Sequence, residues 1–204
     1  MPDTTPIYLE EFLALHPADL ADRLQRMDLK EARHILQELP VKNASAALTE
    51  LEDEILADLL DKFPQTKLVP LLNAMYAEEA ADVLGELEET DRARLLRKMG
   101  AKEAAAAKTL LKYPEDSAGG IMNDRFITLR AHQTVGEGHR RIRQKHREQK
   151  HSDINYLFVT DKEKKLVGVV SIRDLIFSDG EVKISDIMNR EVKYVRVTDD
   201  QEEV

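Results

Sequence analysis

Leucine returns every twelve residues through the first half of this chain, at Leu24, Leu36, Leu48, Leu60, Leu72, Leu84 and Leu96, and three residues after each comes Met27, Leu39, Leu51, Phe63, Met75, Leu87 or Met99. The residue before the leucine is also apolar in most copies: Ile35, Ala47, Leu59, Leu71, Val83 and Leu95. Twelve residues at about 100° each make three turns plus roughly 120°, so one continuous helix would smear this stripe around its surface. The helix must therefore break once per repeat. Pro40, Pro64 and Gly100 each follow the last apolar residue of a repeat, and acidic residues sit early in several of the following turns, where the helix dipole favours them. The pattern predicts helices of roughly nine residues, too short to be stable alone, stacked into a right-angled or superhelical solenoid.

Composition agrees with such a core. The chain has 204 residues, 42% of them hydrophobic, with no Trp, 5 Phe and 5 Tyr, which leaves packing to Leu, Ala and their aliphatic neighbours. The absence of cysteine excludes disulfides and thiolate metal sites. With 39 acidic residues against 30 basic the net charge is −9, a poor match to phosphate backbones, and nucleic acid is not an expected partner. No run approaches the roughly 18 apolar residues of a membrane span, and residues 1–15 lack a basic leader and a cleavage pattern, so the chain reads as soluble and cytoplasmic.

From Tyr113 onward the character changes. Gly119 and Gly120 are adjacent, and β-branched runs appear at 154–160 and 166–170 around the charged stretch 161–165, which predicts a β-hairpin. Residues 135–148 read as a basic helix carrying Arg140, Arg141, Arg143, Lys145 and Arg147. Ser171 followed by Asp174 is an N-cap signature for a short helix through Phe177. The order is strand, helix, strand, strand, helix. Ile121-Met122-Asn123 recurs as Ile187-Met188-Asn189 after 66 residues, each copy followed by a β-like run, at 126–129 and 194–197. The second copy has only its opening when the sequence stops, so a piece of a longer protein is expected.

Glu78 and Asp82 are four apart, which puts both carboxylates on one helix face, where they repel unless a cation lies between them. Magnesium takes hard oxygen ligands, usually one or two carboxylates with water in the remaining positions. Equally, Glu78 and Glu79 could serve only the first turn of their helix while Asp82 faces solvent. Glu54 and Asp58 occupy the same repeat positions and are an equal candidate on spacing. The basic run 140–150 lacks the interleaved aromatics of a nucleic-acid face and reads as a solvated helix surface, facing acidic protein or anionic lipid. The histidines show no ligand spacing, His146 and His151 being five apart. No nucleophile triad, catalytic carboxylate pair or Gly-rich phosphate loop is present, and an enzyme is not expected.

Three segments together carry a resemblance: His16-Pro17-Ala18-Asp19-Leu20-Ala21-Asp22, the leucine repeat with Glu79-Ala80-Ala81-Asp82, and Tyr113-Pro114-Glu115-Asp116-Ser117-Ala118-Gly119-Gly120-Ile121-Met122. They resemble the intracellular region of MgtE-type magnesium transporters. Residues 166–175 resemble the end of a first CBS module, and 184–204 the start of a second. The resemblance implies a multidomain, mainly α fold: a superhelical N domain over 1–113, an α+β CBS module over 114–182, and a truncated second module over 183–204. It implies a homodimer through the CBS modules at the cytoplasmic face of a membrane, attached to a transmembrane pore that this sequence does not contain. Mg2+ bridging the acidic faces of the N and CBS domains would close that pore.

By the same resemblance, Glu78 and Asp82 are carboxylate ligands of Mg2+, Gly120 supplies a backbone carbonyl, and Glu202 matches a ligand whose partners lie beyond Val204. A further family carboxylate falls at Ala46, where none is present. For a nucleotide, the resemblance places Tyr156 on adenine, Arg173 near phosphate and Asp174 on ribose, with Ser171 capping the helix nearby; ATP is the implied ligand. The rival expectation is therefore an adenine-nucleotide sensor whose helical domain docks another protein. An ordinary helix N-cap accounts for Ser171 and Asp174 as well.

Overall fold

The computed structural model describes residues 9–123, 126–148 and 155–204. Ile154, expected to open the first hairpin strand, Lys150 of the basic run, and His151 lie outside them, as do residues 1–8. Contacts divide the chain into one unit of Met1–Met122 with Val197–Val204 and a second of Asn123–Arg196.

In the first unit the twelve-residue rhythm becomes short helices: α1 (Leu9–Leu13), α2 (Pro17–Gln25), α3 (Leu29–Glu38), α4 (Val41–Leu48), α5 (Asp53–Asp61), α6 (Gln65–Ala74), α7 (Ala77–Gly85), α8 (Glu89–Lys98) and α9 (Ala101–Leu110). Pro40, Pro64 and Gly100 are the N-caps of α4, α6 and α9, each with an extended ψ that turns the chain before the next helix starts. Where neither Pro nor Gly is available a side chain does the work, as at Asp28, which accepts from the Lys30 amide at 2.9 Å.

All seven repeat leucines are buried, and so are Ile35, Ala47, Leu59, Leu71, Val83 and Leu95 before them. Most helices pack on the one two further along: α2 on α4, α4 on α6, α6 on α8, α3 on α5, and α7 on α9. Every leucine taken fully out of water contributes on the order of 2 kcal/mol, which offsets the ordering cost that a lone nine-residue helix could not meet. Arg23 adds a contact at the start of the stack, its guanidinium lying 4.4 Å from the centre of the Phe12 ring.

The second unit is a three-stranded sheet of order β1 (Thr128–Arg130), β2 (Tyr156–Thr160), β3 (Leu166–Ser171), joined by α10 (Val135–Glu148) and followed by α11 (Ile172–Phe177) and α12 (Ile184–Ile187). β1 and β2 are parallel, so the chain must cross over between them, and α10 is that crossover. β2 and β3 form the expected antiparallel hairpin. Leu157, Val159 and Val170 point to one side, where Ile127, Leu129, Val135, Leu175 and Ile184 complete a small core. A Cβ at Gly138 would sit 3.3 Å from methyls of Leu129 and Leu175, so glycine there lets α10 lie close against the sheet.

One expectation fails. Residues 194–197 form no strand, and Tyr194 and Val195 are exposed. Further on, the backbone of the first unit's last stretch pairs with 116–119: the Ala118 amide donates to Asp199 O at 2.8 Å, Gly119 to Val197 O at 3.0 Å, and Gln201 to Asp116 O at 2.9 Å. A β-propensity run becomes a strand only when a neighbour supplies ladder partners, and no described strand pairs with residues 194–195. The repeated Ile187-Met188-Asn189 does find one, through reciprocal Asn189 and Val169 backbone bonds of 2.8 and 2.9 Å. No described helix is long and apolar enough to cross a membrane.

Candidate functional site

Helix α7 carries the expected acidic pair. Glu79 is committed locally, accepting from the Tyr76 amide at 2.8 Å and so closing the helix start. Both carboxylate oxygens of Glu78 are shielded from solvent. Asp82, one turn on, lines a cleft of about 270 Å³ together with Asp53 of α5, Glu79, Glu86 and Glu115, above a floor of Leu48, Leu51, Leu56 and Val83. No basic residue is among those lining it.

This crowding of like charge shows in the titration behaviour. Partial burial, then the charges of Glu78, Glu115, Asp53 and Glu79, push the Asp82 carboxyl above the usual carboxylate range. Burial, then Asp53 and Glu115, push Glu86 the same way, with Arg92 opposing. Arg92 is the nearest candidate to neutralise the cluster, yet its guanidinium is spent on backbone: it donates to the carbonyls of Leu84 at 2.8 Å, Gly85 at 2.7 Å and Leu87 at 2.9 Å, holding the C-terminal end of α7.

A second cleft, of about 190 Å³, shares Asp82 and Glu115 and adds Gly85, Arg92, Tyr113 and Gly120. The structure thus brings two of the expected magnesium residues, Asp82 and Gly120, to one place. A Cβ at Gly120 would come within 2.4 Å of Pro114 O and 2.7 Å of Glu115 O, so only glycine lets this backbone fold over the 113–116 turn. Glu202 sits exposed in the 3-10 turn Gln201–Glu203, and Glu54 and Asp58 are exposed on α5; none of the three lines either cleft. Ala46 leaves its position without a carboxylate, and its carbonyl accepts from the Thr49 hydroxyl at 3.0 Å.

Spacing along α7 pointed to Glu78 and Asp82 but passed over Glu86, which continues the same four-residue step. Asp53 and Glu115 had no signal in the sequence. Among the described residues, no three acidic or histidine side chains come close enough together to hold a metal ion. The clefts offer hard oxygen donors in a negative field without a preformed cage, a donor set that suits an ion keeping most of its water, as Mg2+ does.

In the second unit the four expected nucleotide residues gather at one end of the β2–β3 pair, where β2 begins and β3 runs into α11. Tyr156 and Ser171 are register partners across β2 and β3, and Tyr156 is 59% exposed. The Ser171 hydroxyl accepts from the Asp174 amide at 3.0 Å, capping α11, and donates to Asp174 Oδ2 at 2.6 Å. Arg173 and Asp174 are exposed beside them. The local cap therefore exists, and an aromatic face, a guanidinium and a carboxylate surround it.

A stack of short helices with an acidic cleft, followed by a strand–helix–hairpin–helix module, is the architecture of an N-domain-plus-CBS regulatory region. The MgtE intracellular N domain model matches residues 15–116 and the CBS domain model residues 118–180, and the chain belongs to the MgtE family. It is 36% identical over 190 residues to the magnesium transporter MgtE of Bacillus subtilis, covering 93% of this chain and 42% of that one. To the magnesium transporter MgtE of Enterococcus faecalis it is 40% identical over 199 residues, covering 97% and 44%. The chain thus spans less than half the length of these relatives. Among solved structures, the cytosolic domain of the Mg2+ channel MgtE in complex with ATP superposes with a TM-score of 0.86 at 31% identity, covering 96% of this chain and 79% of that one. The soluble part of a magnesium transporter does so at 0.80 and 34%, covering 95% and 76%.

Proposed function

We propose that this chain is the magnesium-sensing regulatory region of a magnesium transporter, with an N domain at 1–113, a CBS module at 114–182 and the opening of a second at 183–204. The observation that carries the reading is the Asp53, Glu79, Asp82, Glu86 and Glu115 lining of one cleft with no basic side chain in it. When the carboxylates are bare, mutual repulsion favours separation of acidic surfaces; a divalent ion shared between them favours approach. Mg2+ then acts by population shift, requiring only that it bind the closed arrangement of the N and CBS domains better than the open one. Closure is read out by a pore outside this chain, at the cytoplasmic face of the membrane, in a homodimer joined through CBS modules. Glu78, Asp82 and Gly120 would serve the ion here. Glu202 would need partners from beyond Val204.

Small-angle scattering of the chain, titrated with Mg2+ to about ten millimolar at constant ionic strength, tests this reading in the range suited to weak carboxylate sites. A fall in radius of gyration that calcium-free sodium controls lack, and that Glu78→Gln with Asp82→Asn removes, is the expected result. An unchanged radius in the parent would sink it.

A second reading rests on the pairing of Tyr156 with Ser171 beside Arg173 and Asp174, and on the ATP bound by the similar cytosolic domain. In it the CBS module senses an adenine nucleotide and the helical domain docks a protein. Both readings give the chain a regulatory role rather than an enzymatic one, in keeping with relatives that are transporters.

A further inference from the structure

Charge is divided unevenly between the two units. The second, Asn123–Arg196, holds 16 Lys and Arg against 11 Asp and Glu, whereas the remainder holds 14 against 28. A net of +5 in one unit and −14 in the other is hidden by the overall −9. Much of the positive excess lies on α10, whose Arg140, Arg143 and Arg147 follow at steps of three and four and so form one stripe along the helix. Val135, Gly138 and Ile142 form the opposite side, facing the core around Leu129 and Leu175. The three arginines and the adjacent Arg141 are exposed, and none makes a salt bridge among the described residues.

We propose that the Arg140, Arg143 and Arg147 stripe of α10 is a contact surface for an anionic phospholipid membrane. Four neighbouring guanidiniums with no salt bridge among the described residues repel one another, and that arrangement becomes favourable when an external array of phosphates faces it. Arginine suits this partner because its planar fork takes a phosphate through two N–H groups at once. The stripe carries no apolar or aromatic side chain to insert, so the contact is electrostatic and peripheral. The relatives it resembles are named magnesium transporters, and transport of an ion requires a bilayer, so a membrane surface is a partner of the right charge. Nucleic acid offers the same phosphate, but the −14 unit in the same chain and the missing aromatics disfavour it. Each basic side chain near an anionic leaflet strengthens partition by roughly fivefold, so three together amount to about a hundredfold.

Vesicle co-sedimentation of the whole chain in EDTA tests the contact without involving the magnesium site. Phosphatidylcholine vesicles are compared with vesicles containing about one third phosphatidylglycerol, at low and at physiological salt. Binding to the anionic vesicles alone, weakening with salt and falling about a hundredfold in Arg140→Gln/Arg143→Gln/Arg147→Gln, is expected. A control variant, Lys162→Gln/Lys165→Gln/Lys193→Gln, removes the same charge from exposed sites of the same unit and should retain most of the binding. Equal losses in the two triple variants would overturn the proposal, since net charge alone would then explain the binding. So would equal binding to neutral vesicles, or tighter binding to duplex RNA than to the anionic vesicles. Circular dichroism confirms that each variant is folded.

Discussion

Arg92 donates to the carbonyl of Gly85 at 2.7 Å, and by doing so keeps its guanidinium, beside the acidic cleft, engaged with backbone. The same side chain reaches the carbonyls of Leu84 and Leu87, so one guanidinium ties the last turn of α7 to the residues just after it. Stability of the helix and electronegativity of the cleft are thus two results of one contact. Arg92 offsets the charge of Glu86 only in part, with burial, Asp53 and Glu115 prevailing over it.

Replacing Arg92 should therefore loosen α7 as well as change its charge. Arg92→Met is expected to cost about 2 kcal/mol of unfolding free energy, the scale of a charge-assisted hydrogen-bond group lost from a part-buried site. Urea unfolding monitored by circular dichroism measures it, and Arg92→Lys should recover only part because it lacks the fork. A loss no larger than that of an exposed arginine such as Arg97→Met would contradict the assignment.

The acidic cluster gives stability an unusual pH dependence. Asp82 and Glu86 both have folded pKa values raised above their ordinary ones. In the window between the ordinary and the raised values the folded chain binds more protons than the unfolded one, so their contribution to stability falls as pH rises through that window. Without divalent ions, Asp82→Asn should raise the thermal midpoint at neutral pH. The gain should vanish below the ordinary carboxylate range, where both forms are protonated. Thermal scans in EDTA across pH 3 to about 8 would show this; a variant less stable than the parent at neutral pH would refute it.

Binding of Mg2+ should reverse that penalty. Because the ligands must be deprotonated, affinity should rise with pH and binding should release protons, which calorimetry in buffers of different ionisation enthalpy detects. At ten times its dissociation constant the ion should add about 1.4 kcal/mol of stability to the parent and little to the Glu78→Gln/Asp82→Asn variant. Proton uptake on binding would count against these ligands.

In the second unit, Ser171→Ala removes the cap of α11 and should cost about 1 kcal/mol. Asp174→Ala leaves that hydroxyl cap available, and so separates capping from ligand binding. If this end of the β2–β3 pair takes an adenine nucleotide, Tyr156→Ala and Asp174→Ala should each weaken ATP binding at least tenfold in equilibrium dialysis, with the magnesium response of the first unit intact. ATP binding unchanged in both variants would remove these residues from any nucleotide site.

Local rules made much of this molecule legible. The twelve-residue ladder located the breaks between helices because buried leucines and their Pro or Gly punctuation act within a few residues of one another, and Leu24 through Leu96 are all buried. Helix α10 and the Ser171 cap follow from the same kind of short-range pattern. Residues 194–197 differ for the opposite reason: a strand exists only through its partner, and backbone pairing with 116–119 begins only at Val197, the last residue of the run.

The acidic site divides in the same way. Glu78, Asp82 and Glu86 share a helix face at four-residue steps, a relation that a single helix determines on its own. Asp53 comes from α5, and Glu115 from the turn after α9, and no periodicity links either to α7. The packing of α7 against α9 carries the turn with Glu115 alongside, and the stacking of the short helices brings Asp53 of α5 to the same cleft. Sequence determines what each helix presents, because side-chain direction repeats with the backbone. Which faces meet depends on how buried surfaces fit, a property of the whole fold that no local spacing contains.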